Sequence, residues 1–169
     1  MKTAMLSLVM FLTVLVAKSE ASMQWTINAS SCVADPGSIQ NNLYFVSGGS
    51  TSFASAKTGT ISLYCPIAVD LGFTPAYIFM SYHDDSDSGS CTGNSYATLT
   101  KMNNTTGILT NVHTPINSNL GPQTAGIHAV STSFTDTYNP TAYSYYIRID
   151  MLRNCTTTSE IVYNVGVTV

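Results

Sequence analysis

YSYYIRIDMLR, residues 143–153, alternates between two kinds of side chain and decides the fold class. One row is apolar and comprises Tyr143, Tyr145, Ile147, Ile149 and Met151. The row between them is largely polar. Side chains of a β-strand point alternately to its two faces, so the apolar row is expected to face a core and the polar row to face water. No Gly or Pro interrupts the stretch, and aromatic and β-branched residues suit a strand.

A second apolar run, IVYNVGVTV at residues 161–169, follows a polar turn at residues 154–159. Two such runs joined by a short polar segment are typical of an antiparallel hairpin. We therefore expect residues 143–153 and 161–169 to pair with each other. Because the last run is long and apolar, we expect it to lie in the centre of a sheet.

Short apolar or alternating runs recur along the rest of the chain, separated by turns. They span residues 23–27, 43–46, 51–54, 60–66, 76–82, 95–102, 108–112 and 127–134. Many short strands with turns between them and no helical pattern are typical of two packed antiparallel sheets. The sequence predicts an all-β fold, an antiparallel two-sheet β-sandwich of jelly-roll-like or immunoglobulin-like type, in which residues 95–112 form a hairpin.

The first residues have the features of a signal peptide. Lys2 precedes an apolar run at residues 4–17, and the small residues Ser19 and Ala21 follow it. The run is too short for a typical membrane span, so we predict cleavage after Ala21. Residues 22–169 are then expected to form one β-sandwich domain, close to the commonest domain size. The predicted location is secreted, either extracellular or periplasmic, with no membrane insertion after cleavage.

The charge balance argues against two classes of partner. The chain has 6 Lys and Arg and 9 Asp and Glu, and the predicted signal peptide contains two of the basic residues and one of the acidic ones. Four basic and eight acidic residues therefore remain. Nucleic acids and anionic lipids are bound through clustered Lys and Arg, so we predict no nucleic-acid partner and no lipid anchoring.

The four cysteines are Cys32, Cys65, Cys91 and Cys155. An even count behind an export signal indicates two disulfides, for which three connectivities exist. We favour Cys32–Cys65 with Cys91–Cys155, because the first bond would tie the amino-terminal segment to an early strand and the second would tie a loop to the turn after residue 153. A zinc site is disfavoured because no C-x-x-C pair is present.

Residues 34–67, ADPGSIQNNLYFVSGGSTSFASAKTGTISLYCPI, carry a family resemblance. The A-D-P-x-x-I-Q stretch followed by G-T-I-x-L-Y-C-P resembles the signature of small secreted bacterial β-sandwich proteins of unknown function. The resemblance implies a secreted, bacterial, single-domain β protein. It implies no catalytic residue, because that group has no activity to transfer.

The densest polar cluster is the loop HDDSDSG at residues 83–89, which contains Asp84, Asp85 and Asp87. Carboxylates at alternate positions of a tight loop are typical of the first half of a calcium site. The loop lacks the closing Glu of that motif, so an ordinary solvated loop is the alternative. Calcium at Asp84, Asp85 and Asp87 is the one cofactor hypothesis that the sequence offers.

Tyrosines supply a second candidate site. The chain has 10 tyrosines and one Trp, and aromatic faces stack on sugar rings. Tyr138, Tyr143 and Tyr146 are the best candidates for exposed ligand-binding rings, although tyrosines that alternate on strands commonly fill a core. The predicted partner is an extracellular glycan or a surface protein.

Support for catalysis is thin, and we assign no catalytic residue. His83, His113 and His128 are scattered, and no G-x-S-x-G motif is present. The leading hypothesis is a secreted or cell-surface β-sandwich with a binding or structural role. A calcium-assisted carbohydrate-binding module is the alternative, and a small secreted hydrolase is the third hypothesis.

Overall fold

The computed structural model describes residues 24–68, 75–84, 91–122, 124 and 126–168. Within them the chain forms two antiparallel sheets that pack face to face. The strands of the first sheet are β1 (Gln24–Asn28), β3 (Tyr44–Ser47), β4 (Ser50–Phe53), β6 (Tyr77–Asp84), β10 (His128–Ser133) and β12 (Glu160–Thr168). The strands of the second sheet are β2 (Val33–Ala34), β5 (Gly59–Pro66), β7 (Gly93–Asn103), β8 (Leu109–Asn111), β9 (Ile116–Asn117) and β11 (Tyr143–Arg153). The predicted β-sandwich is confirmed.

Each sheet is built around one long strand. In the first sheet β12 lies between β6 on one side and β1 and β4 on the other, so the expectation of a central C-terminal strand is confirmed. In the second sheet β11 lies between β5 and β7, and β7 in turn pairs with β8 and β9. The predicted hairpin over residues 95–112 is the β7–β8 pair.

The apolar row of β11 faces the other sheet, as its alternation predicts. Its buried members are Tyr145, Ile147, Ile149 and Met151, while Tyr143 at the end of the strand is half-buried. They pack against apolar side chains from the first sheet, among them Ile78, Met80, Val162, Val165 and Val167. Full burial of one such side chain contributes roughly 1.5–3 kcal/mol, which explains why the alternation alone predicts the orientation of the strand.

The predicted hairpin between residues 143–153 and 161–169 is wrong. β11 belongs to the second sheet and β12 to the first, and the turn between them crosses from one sheet to the other. Arg153 holds this turn, because its guanidinium donates to the carbonyl oxygens of Cys155, at 2.7 Å, and of Thr156. An apolar face is buried whether two strands pair in one sheet or face each other across the core, so the alternation alone does not distinguish the two arrangements.

The structure also contains short helical turns that the strand pattern does not predict. One α-helical turn, α1 (Pro36–Gln40), begins at Asp35, whose carboxylate accepts from the backbone N–H groups of Gly37 and Ser38 at 2.8 and 3.1 Å. Two 3₁₀ turns span Ala29–Ser31 and Ser118–Leu120. Asp35-Pro36-Gly37, which carries strong turn chemistry in the sequence, thus begins a helix, with Asp35 as its N-cap.

Both predicted disulfides are present. Cys32–Cys65 joins the segment before β2 to β5, and Cys91–Cys155 joins the segment before β7 to the turn after β11. Each bond links segments far apart in the chain and so restricts the unfolded state. Among the described residues, no helix has the length and hydrophobicity needed to cross a bilayer.

Candidate binding face

The predicted calcium residues fall at the edge of what the structure describes. Asp84 ends β6, while Asp85 and Asp87 lie outside the described residues. Over the described part of the chain, no three His, Cys, Asp or Glu side chains are grouped as metal ligands would be. Calcium binding at Asp84, Asp85 and Asp87 stays a prediction.

The structure divides the three candidate tyrosines between two places. Tyr138 and Tyr143 both contact Tyr145 at one end of the sandwich, with ring centroids 4.6 and 6.3 Å from that of Tyr145. Tyr146 projects from the opposite face of β11, away from the core. The three side chains therefore do not form one site.

Tyr138 and Tyr143 belong to a cluster that closes the end of the core. The Tyr145 hydroxyl accepts from the backbone N–H of Asn139 at 3.1 Å. Lys101 Nζ lies 5.0 Å from the centre of the Tyr143 ring, and it contacts both carboxylate oxygens of Asp136 at 2.9 Å. These side chains contact one another through hydrogen bonds, an ion pair and ring contacts, which indicates a structural role for this end of the molecule.

The three histidines lie on different surfaces. His83 shares the outward side of β6, His128 lies on the inward side of β10 opposite Tyr82, and His113 lies in the segment after β8. The His113 ring accepts a hydrogen bond from the backbone N–H of Leu99 at 3.0 Å and stacks on Phe134 with centroids 5.7 Å apart. Burial lowers the pKa of His113. The structure does not bring these three histidines together, so this arrangement adds no support to the hydrolase hypothesis.

The outward side of the second sheet combines tyrosines with polar side chains. We call this surface the outer face and define it by the outward-facing residues of three strands. They are Ser62 and Tyr64 on β5, Tyr146, Arg148, Asp150 and Leu152 on β11, and Asn94, Tyr96, Thr98 and Thr100 on β7. Because β11 is central, its polar row forms the middle of the surface.

Tyr64 and Tyr146 form an aromatic pair at one end of the outer face. Their ring centroids are 5.7 Å apart and the ring planes are inclined to each other by 58°. Tyr64 is 36% exposed, and Tyr146 is half-buried beside it. Burial and the neighbouring Tyr64 raise the pKa of the Tyr146 hydroxyl.

Arg148 and Asp150 form an ion pair in the middle of the outer face. Arg148 Nε donates to the Asp150 carboxylate, with N···O distances of 3.0 and 2.9 Å to its two oxygens. The Ser62 hydroxyl donates to the same carboxylate at 2.6 Å. Burial by itself would lower the pKa of Arg148, but the hydrogen bond and charge of Asp150 outweigh it and raise that pKa. Asp150 is thus fixed from the β5 side and orients the guanidinium.

Tyr96 is held at the other end of the outer face by a chain of hydrogen bonds that reaches the interior. Asn94 Nδ2 donates to the Tyr96 hydroxyl at 2.8 Å, and Asn94 Oδ1 accepts from the Ser118 hydroxyl at 3.2 Å. The Ser118 oxygen accepts from the backbone N–H of Ser95 at 3.1 Å, and the Ser95 hydroxyl donates to the buried Glu160 at 2.8 Å. The Tyr96 side chain is therefore positioned before any ligand arrives.

Two hollows lie on this surface. A groove of about 360 Å³ is lined by Tyr146, Arg148 and Asp150 together with side chains of β7 and β8. A larger hollow of about 610 Å³ lies at the other end, lined by Asn94, Tyr96, Leu152 and residues of the adjacent turns. Asp150 lines the smaller groove and Tyr96 lines the larger hollow, and these two residues pair in register across β11 and β7.

Of the three tyrosines on this surface, the sequence pattern singles out Tyr146 and leaves Tyr64 and Tyr96 aside. Tyr64 alternates with Ile61, Leu63 and Cys65 of the predicted strand at residues 60–66, and Tyr96 is the second residue of the strand predicted at residues 95–102. The parity of each position places these rings on the polar side of its strand. Parity does not show that the two strands flank β11.

Comparisons with known proteins show similarity of fold only. No protein-family model and no curated protein matches the sequence. The solved structure "Crystal structure of infectious bursal disease virus VP2 subviral particle" is similar over 89% of this chain, with a TM-score of 0.41 and 15% identity. The chain spans 33% of that structure's own chain, about a third of its length.

Two further solved structures are similar to this chain over most of their own length. "CBM4 structure and function" matches 85% of this chain and 86% of its own, with a TM-score of 0.37 and 13% identity. A non-crystalline cellulose specific carbohydrate-binding module, CBM28, matches 73% of this chain and 76% of its own, with a TM-score of 0.39 and 12% identity.

Proposed function

We propose that the protein is an extracellular binding protein that binds a glycan on the outer face. The observation that carries the proposal is the arrangement of Tyr64, Tyr96 and Tyr146 around a polar centre, on the water-facing side of a sheet. Large aromatic side chains on such a side gain little from burial in the folded chain alone. A patch of this kind is typical of an interaction site.

The chemistry of the outer face suits sugars. Tyrosine rings offer apolar faces that can pack on the C–H surface of a pyranose, while their hydroxyl groups remain in contact with water. Arg148 and Asp150 supply hydrogen-bond donors and acceptors between the rings, and a sugar hydroxyl can both donate and accept. Proteins with small ligands commonly combine apolar walls with a few fixed polar groups in this way.

The predicted signal peptide and the two disulfides support an extracellular setting for such a site, because disulfides persist in oxidising compartments. The bacterial origin implied by the sequence resemblance would place the glycan outside a bacterial cell. The calcium hypothesis for Asp84, Asp85 and Asp87 is separate, since glycan binding on the outer face needs no metal.

Affinity electrophoresis through gels that contain soluble polysaccharides tests the proposal. We expect the protein to be retarded by at least one polysaccharide, and the double variant Tyr64→Ala/Tyr146→Ala to lose roughly tenfold or more in affinity, because each ring contact contributes about 0.5–1.5 kcal/mol. Tyr77→Ala is the matched control, since Tyr77 is 46% exposed on the outward side of the first sheet. Equal losses in the double variant and the control would overturn the assignment to the outer face.

A further inference from the structure

The position of the charged groups on the outer face indicates the chemical class of its ligand. We propose, resting on the proposed function, that the bound glycan is an uncharged chain of several sugar residues. We further propose that the Arg148–Asp150 pair is the element that selects against acidic glycans.

The spacing of the tyrosines on the outer face indicates a ligand longer than one sugar. Tyr146 lies opposite Thr100, and Tyr96 lies four residues from Thr100 along β7. With a rise of about 3.4 Å per residue, the two tyrosines are about 14 Å apart along the strand direction. One sugar ring is much shorter than this distance, so only a chain contacts the tyrosines at both ends.

The charges of the outer face cancel. Among its described residues Arg148 and Asp150 are the charged ones, and they form a pair at 2.9 Å. Asp35 lies at the edge of the sheet, where its carboxylate accepts hydrogen bonds from the backbone N–H groups of Gly37, Ser38 and Ser62. Arg153 borders the larger hollow but is 9% exposed and donates to the turn after β11. The residues that define the outer face therefore include no unpaired cation that could attract an acidic ligand.

The pair itself offers both hydrogen-bonding roles to hydroxyl groups. Arg148 uses Nε for Asp150, which leaves the two outer nitrogens of the guanidinium as donors. Asp150 keeps lone pairs beyond those used by Arg148 and Ser62. A carboxylate or sulfate that approached Arg148 would lie beside the fixed Asp150 carboxylate, and like charges at such distances repel strongly. The eight acidic and four basic residues that follow the predicted signal peptide give a net negative charge, which adds to this repulsion.

Replacing Asp150 by asparagine provides the decisive test, because the variant should gain a new affinity. The asparagine side chain keeps the shape of the aspartate, and its amide oxygen can still accept from Ser62, but it leaves Arg148 without a counter-charge. Asp136→Asn is the matched control: it changes the net charge equally, but at the Lys101 ion pair, away from the outer face. Binding is measured by titration calorimetry with neutral oligosaccharides of increasing length, with uronic-acid oligosaccharides and with sulfated ones.

We expect the wild-type protein to bind neutral chains, with affinity that rises with chain length and changes less than about twofold between low and high salt. Asp150→Asn should gain roughly tenfold for acidic oligosaccharides in a salt-sensitive manner, and Asp136→Asn should not. A wild-type preference for acidic chains, full affinity for a monosaccharide, or equal gains in both variants would overturn this inference while leaving glycan binding intact. Absence of binding to every glycan would overturn the proposed function with it.

Discussion

Replacing Tyr143 by Ala separates the structural tyrosines from the binding tyrosines. Tyr143 is half-buried, its ring meets Tyr145 edge-on at 6.3 Å, and Lys101 Nζ lies 5.0 Å from its centre. The aromatic contact contributes about 0.5–1.5 kcal/mol and the cation–π contact about 0.5–1 kcal/mol. Partial loss of apolar burial adds about 1 kcal/mol. We therefore expect Tyr143→Ala to lower the free energy of unfolding by about 2–3.5 kcal/mol.

The assays are urea and thermal unfolding of the mature protein followed by circular dichroism, together with glycan affinity measured without urea at a temperature where the variant is folded. A loss of this size should lower the melting temperature by about 4–14 °C, on a shift of about 2–4 °C per kcal/mol for a domain of this size. Tyr146→Ala is the matched comparison, because Tyr146 lies three residues further along β11 on the outer face. It should lose glycan affinity with a smaller loss of stability, about 1 kcal/mol.

The opposite outcome would refute the reasoning. If Tyr143→Ala unfolded like the wild type but no longer bound glycan, then Tyr143 would be a ligand-binding residue, as the sequence hypothesis for Tyr138, Tyr143 and Tyr146 has it. The outer face would then be the wrong surface.

Two further predictions concern the groups that support the fold around the outer face. Ser118→Ala leaves the buried Ser95 N–H without its acceptor, so it should lower the free energy of unfolding in urea by about 1–3 kcal/mol. Ser131→Ala, at an exposed position, should change that free energy by less than about 0.5 kcal/mol. Equal losses of stability in the two variants would contradict a supporting role for the Ser118 hydroxyl. Burial lowers the pKa of His113 below the ordinary value of about 6.5, so its neutral ring stabilises the fold above that pH and the contribution is lost as the pH falls below it. Unfolding free energies measured from about pH 7.5 to 5 should therefore decline, and His113→Gln should flatten the decline; an unchanged slope would show that another group titrates.

The alternation of side chains determined most of the fold. It predicted the buried row of β11, because a strand with one apolar face can bury that face in only one orientation. The length and apolar character of the last run predicted the central position of β12, and adjacent runs joined by a short turn predicted the pairing of β7 with β8. The even cysteine count behind an apolar leader likewise indicated two disulfides, and the favoured pairing is the one that the structure contains.

The sequence did not show which strands pair with each other. Adjacent runs at residues 143–153 and 161–169 look like a hairpin, yet they belong to different sheets, because local polarity does not show whether a turn stays in one sheet or crosses the core. Parity does separate Tyr143, in the apolar row of this stretch, from Tyr146, in its polar row, although the sequence hypothesis grouped the two as exposed rings.

The sequence by itself determined which side of each strand faces water, since side-chain parity is a local property of an extended chain. Only the tertiary structure decided that Tyr64, Tyr96 and Tyr146 share one surface around Arg148 and Asp150, because that surface is assembled from β5, β7 and β11, which are far apart in the chain. A binding face across three strands depends on their order and register, and these are fixed by long-range pairing.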